Sequence, residues 1–140
     1  MYRTSIALTG LLVMYLFHPL PARSRVAVDL PDLRIRQYEF VSTNDKQLRV
    51  QVANQGKAAS RPCRLELAIR KIKGTAVGRT AYETIPALEP GKAEWVDLTA
   101  TGILPAAISL KETTFRLTAD ETGIVAESNE DNNETWHNLH

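Results

Sequence analysis

Along much of this chain apolar side chains fall at every second position, the period of a strand with one face buried. In "KQLRVQVANQG", Leu48, Val50 and Val52 point inward while Arg49, Gln51 and Ala53 point outward, and Asn54 to Gly56 supply turn chemistry that ends the strand. In "RPCRLELAIRKIKG" the inward set is Cys63, Leu65, Leu67 and Ile69, alternating with Arg64, Glu66, Ala68 and Arg70. "PDLRIRQYEF" changes parity: Leu33 and Ile35 lie on one face and Tyr38 and Phe40 on the other, which predicts a bulge or a strand that switches sheets.

Beyond Gly74, "AVGRTAYETI" reads as an edge strand because of Gly78 and its mixed faces. Pro86, Pro90 and Gly91 then make a loop and tight turn before "AEWVDL", where Trp95 and Val96 point opposite ways. "TATGILPAAISLKE" is irregular, with room for a short helical turn. "TTFRLTAD" resumes alternation, Asp120 to Gly123 reads as a hairpin turn, and "IVAE" is expected to return as a strand. About seven strands with a turn signal every 8–12 residues or so predict an all-β, immunoglobulin-like antiparallel β-sandwich. No 3.6-residue amphipathic pattern competes with it.

The beginning of the chain is different. Arg3 precedes an apolar run from Ile6 to Phe17, then Pro19, Pro21 and Ala22, the order of a secretory signal peptide. The run is short of the roughly 20 apolar residues that a membrane anchor needs. The expected organisation is a cleaved leader over residues 1–22, a linker over 23–30, the β-sandwich over 31–136 and a tail over 137–140, with no stable membrane span once the leader is removed and an exported, periplasmic or extracellular location.

At 140 residues the chain has room for one core. Its 17 basic residues include Arg3, so without the leader 17 − 1 = 16 face 16 acidic ones, and the attraction for nucleic acid disappears. The single Cys63 has no partner for an intramolecular disulfide, and its parity places it in the core rather than at a reactive site. Catalytic chemistry lacks its parts. His18 lies in the leader, His137 and His140 lie at the far end, and neither a nucleophile elbow nor a zinc-spaced Cys/His set is present. Glu127 and Glu130 form a carboxylate pair, but their carboxamide-rich setting offers no apolar surroundings to raise either pKa. The protein is expected not to be an enzyme.

"PDL", "VQVANQG", "IPALEPGKAEWV" and above all "FRLTADETGIVAESNEDNN" resemble the bacterial cell-adhesion-related domain, CARDB, from about Pro31 to Asn133. The resemblance implies an immunoglobulin-like module of exported and surface proteins. Two roles follow: a binding or adhesion module recognising a surface protein or polysaccharide, or a periplasmic accessory or spacer that docks to one protein partner by edge-strand addition through "AVGRTAYETI". Exposed aromatics discriminate them. Trp95 and Trp136, with Tyr38 or Tyr82 beside them, are the candidate ligand contacts, and their burial would favour the accessory role.

Two readings stand for "ESNEDNN". Asn129, Asp131 and Asn133 alternate as in an EF-hand loop, but Glu134 replaces the turn glycine and His140 the twelfth ligand, which rejects that motif. An irregular, weak calcium site could use Asp120, Glu127, Glu130 and Asp131. The structural reading has Asn129, Asn132 and Asn133 pairing with main-chain N–H and C=O groups in a closing turn, with no cofactor required. Asn133-Glu134-Thr135 is also a glycosylation sequon, which carries no weight in a chain of bacterial type.

Overall fold

The computed structural model describes residues 27–139, so the expected leader, the first half of the linker and the last residue of the tail lie outside the described residues. Seven strands form two antiparallel sheets. The strands are β1 (Leu33–Phe40), β2 (Gln47–Asn54), β3 (Cys63–Ile72), β4 (Thr75–Ile85), β5 (Ala93–Thr99), β6 (Thr113–Ala119) and β7 (Glu134–His137). One sheet has the order β1-β2-β5 and the other β4-β3-β6-β7. Among the described residues no helix is long and apolar enough to cross a membrane.

The inward sets of the alternating segments meet between the sheets. Leu48, Val50 and Val52 of β2 join Leu65, Leu67 and Ile69 of β3, with Phe115 and Leu117 of β6, in one apolar cluster. At about 25 cal/mol per Å² of buried apolar surface, this layer is the principal stabilising term. The parity change in β1 is a bulge: its register against β2 shifts between Ile35 and Gln37, so that Tyr38 and Phe40 also pack against the core. Between β3 and β4 the chain reverses through Lys73 and Gly74, both at positive φ (46° and 82°), the conformation of a tight two-residue hairpin. The irregular stretch after β5 carries a single helical turn, Leu110–Glu112, capped by Ser109.

Three expectations change. Ala53 is buried (0% exposed) rather than outward, because β2 is the central strand and a methyl group flanked by Arg34 and Ala93 on its neighbours has little surface to show. Glu66 and Ala68 point away from the core as their parity requires but are also buried, since β3 is central in its own sheet. "IVAE" forms no strand. The turn after β6 exists, with Gly123 N–H donating to Asp120 C=O at 2.9 Å, but Asp120 then uses its carboxylate to accept from the N–H groups of Ile124 (3.2 Å) and Val125 (2.8 Å). A side chain that occupies those amides keeps them out of a sheet ladder. The seventh strand comes later, at Glu134–His137, and pairs with β6.

Candidate functional site

The outward face of the four-stranded sheet is built from residues of one parity. Register places Tyr82, Glu66, Thr118 and Glu134 in a row across β4, β3, β6 and β7, and Thr80, Ala68, Arg116 and Trp136 in the next. Tyr82 and Trp136 are 45% and 48% exposed. They stand on opposite margins, separated by three interstrand spacings of about 4.8 Å each, or roughly 14 Å.

Both rings are held by arginines. The Arg64 guanidinium lies 4.1 Å from the centre of the Tyr82 ring, and its Nε donates to Glu121 at 3.0 Å. Arg116 lies 6.0 Å from the Trp136 ring and bridges Glu66 and Glu134, each at 3.1 Å. Glu66 is only 6% exposed, so its bond from Arg116 keeps a buried carboxylate paired. Cation–π contacts and ion pairs of this kind restrict the orientation of both rings.

The other aromatic candidates lie elsewhere. Trp95 is on β5 in the three-stranded sheet, half-buried beneath Arg49 at 5.2 Å, and does not join Tyr82 or Trp136. Tyr38 packs inward with Phe40, Phe115 and His137, bonded to His137 Nδ1 at 2.9 Å. His137 itself stacks on Phe115 at 4.9 Å.

The acidic segment forms a clasp at one end of the sandwich. Glu127 is buried; one carboxylate oxygen accepts from the N–H of Leu33 and the other from Asn133 Nδ2 at 2.8 Å. Burial pushes the Glu127 carboxyl up to about 7 against the pull of those two bonds, with Glu130 and Asp120 adding to the rise. The expectation that Glu127 lacks surroundings able to raise its pKa is therefore corrected: its neighbours in sequence are polar, but the fold buries it. Glu130 accepts from the Glu127 N–H at 2.9 Å.

The carboxamides behave differently from one another. Asn129 Oδ1 accepts from the Asp131 N–H at 3.0 Å, a local Asx-type turn. Asn132 and Asn133 donate to side-chain carboxylates instead of the expected main-chain groups, Asn132 to Asp32 Oδ1 at 2.8 Å and Asn133 to Glu127. Asp120, Glu130 and Asp131 line an open cleft of about 510 Å³ with Asn133, whereas Glu127 is not among its lining residues. Among the described residues no three His, Cys, Asp or Glu side chains converge as a metal ion would require.

A residue that carries more than its sequence position suggests is Asn54, fully buried at the end of β2. Its Oδ1 accepts from the N–H groups of Asp32 (3.1 Å) and Gly56 (2.9 Å), and its Nδ2 donates to the C=O groups of Ala58 (2.8 Å) and Leu88 (2.9 Å). Gly56 beside it passes so close to the chain before β1 that a Cβ would lie 2.5 Å from the Asp32 nitrogen. "VANQG" is thus a knot, not only a turn.

Comparison with known proteins agrees with this architecture. No curated protein matches the chain. Among solved structures, a solution structure of a domain from Methanosarcina acetivorans, ascribed to a cell surface protein, is 24% identical, covers 76% of this chain and 88% of its own, and superposes with a TM-score of 0.53. The CARDB domain of a Pyrococcus furiosus protein, in complex with di-metal ions, is 18% identical over 78% of this chain and 91% of its own, with a TM-score of 0.48. The CARDB family model matches residues 30–137, from the segment ahead of β1 to the last residue of β7, and the chain belongs to the CARDB family.

Proposed function

We propose that this protein is a non-catalytic binding module acting outside the cytoplasm, periplasmic or extracellular, which holds a surface polysaccharide or protein against the outer face of its four-stranded sheet. One observation carries the reading: Tyr82 and Trp136 are both exposed on one face, each oriented by an arginine that is itself paired with a carboxylate. Flat, half-exposed rings with a polar handle are the side chains that dominate such contacts. Arg64 and Arg116 are matched by Glu121, Glu66 and Glu134, so the part of the face around the two rings lacks the unbalanced positive charge that nucleic acid selects. The surface ascription of the M. acetivorans domain supports a location outside the cytoplasm, and the non-catalytic character of the family supports the absence of chemistry.

The test is a screen of cell-wall glycans and surface extracts, repeated with Tyr82→Ala and Trp136→Ala. Each substitution is expected to weaken binding of the hit at least about tenfold while leaving the melting temperature nearly unchanged. Binding that survives both substitutions would move the site elsewhere.

The second reading, docking by edge-strand addition, has β4 in its favour: an eleven-residue strand at the sheet margin. Against it stand Arg79 and Glu83, charged side chains on the core-facing side of that edge strand, opposite Ile69 and Leu65. A foreign strand would have to desolvate both.

A further inference from the structure

We infer that β4 pairs with β4 of a second copy of this chain, antiparallel about a two-fold axis at Ala81, so that the two four-stranded sheets become one. The inference does not depend on what the sheet face binds.

The free edge of β4 has a definite parity. Arg64, the partner of Thr84, turns its C=O to the β6 side, where it accepts from the Glu121 N–H at 3.2 Å, and Thr84 N–H donates to its own Glu83 carboxylate at 2.9 Å, so Thr84, and with it Tyr82 and Thr80, direct their main-chain groups away from the sheet. An antiparallel copy centred on Ala81 sets Thr80 opposite Tyr82 on both sides of the axis. Each of those pairs joins two residues whose free groups face each other. The register and the hydrogen-bonding parity therefore agree.

Charge agrees as well. Arg79 and Glu83 are equally far from Ala81, so Arg79 of each copy faces Glu83 of the other, twice, at the narrow pairs where Cβ atoms come within about 4.5–5.5 Å. Arg79 now donates Nη1 to the Ile103 C=O at 2.8 Å, and the guanidinium keeps other donors for the facing carboxylate. The same two charges that penalise a strand without matching charges are satisfied by this chain's own sequence, which biases the edge toward itself. On the outer face, Tyr82 of each copy would stand beside Thr80 of the other, bringing two aromatic platforms together across the axis.

The experiment uses sedimentation of the purified protein and of two charge-reversed variants. Wild type is expected to sediment as a concentration-dependent dimer. Arg79→Glu and Glu83→Arg, each alone, set like charges opposite one another and are expected to weaken self-association at least about tenfold. Mixed in equal amounts, the two variants should dimerise again, because every reversed position then meets its complement; variants that merely failed to fold would not recover on mixing. A wild type that stays monomeric at all concentrations, single variants that dimerise as well as wild type, or a mixture that does not recover would each overturn the pairing.

Discussion

Asn133 donates from Nδ2 to Glu127 Oε1 at 2.8 Å, and through the other oxygen of that carboxylate, which accepts from the Leu33 N–H, the segment before β7 is tied to the first residue of β1. The bond is made inside the protein, where an ionised carboxylate is costly.

That cost sets a pH dependence. The Glu127 carboxyl is raised in the folded state from 4.5 to about 7. Its contribution to stability is fully present below the unfolded value of 4.5 and is lost as pH rises through about 7. The loss is on the order of 3 kcal/mol. The melting temperature should fall between roughly pH 5 and pH 8, and Glu127→Gln should flatten that slope. A slope unchanged by the substitution would place its origin in another group.

The three carboxamides of the clasp should not be equivalent. Asn133→Ala removes a buried donor from Glu127, at an expected cost of roughly 1–3 kcal/mol. Asn132→Ala loses the part-buried bond to Asp32 and should cost less, and Asn129→Ala, at an exposed turn, least. Thermal melts with calcium and with chelator are expected to coincide. A saturable rise with calcium that Asn132→Ala and Asn133→Ala abolish would reverse the structural reading.

Asn54→Ala should be the most damaging single polar substitution in the protein. It strands the N–H groups of Asp32 and Gly56 and takes a donor from the C=O of Ala58 and from that of Leu88, which keeps the Ser60 N–H at 2.9 Å. At about 1 kcal/mol or more for each part-buried group left unpaired, a total loss of roughly 3 kcal/mol is expected in urea unfolding. Asn44→Ala, in a half-buried turn where the side chain accepts from the Lys46 N–H at 3.0 Å, should cost less.

Cys63 is expected to react with thiol reagents only on unfolding. It is buried at the start of β3, and burial, reinforced by Asp120 and Glu127, pushes its thiol up to about 12, which leaves almost no thiolate at neutral pH. Cys63→Ser should cost roughly 1–3 kcal/mol by placing a hydroxyl there. Stoichiometric labelling of the native protein within seconds would contradict this.

The two-residue period was enough to read the sheets, because each strand has one face that must be apolar; Leu48, Val50 and Val52 announce β2 without help from the rest of the chain. It was not enough at Glu66 or Ala53, where burial comes from neighbours on adjacent strands that the strand's own pattern does not contain. "IVAE" shows the opposite failure: the pattern favours a strand, but two hydrogen bonds to the Asp120 side chain settle the backbone differently. The aromatic pair was half legible. Residue type marks Tyr82 and Trp136, while Arg64 and Arg116 beside them become visible only when the register of β3, β4, β6 and β7 is known. Asn54 looked like an ordinary turn residue because its four partners are distributed between residues 32 and 88.

The directions of β1 and β7 have a mechanical consequence. β1 leaves the clasp at Leu33 and runs toward the Tyr38–His137 contact, and β7 runs the same way from Glu134 to His137, so the chain enters the sandwich at one end and leaves toward the other. Tension applied between the two termini would act along both strands and load their ladders to β2 and β6 in shear, many bonds at once, instead of peeling them one by one.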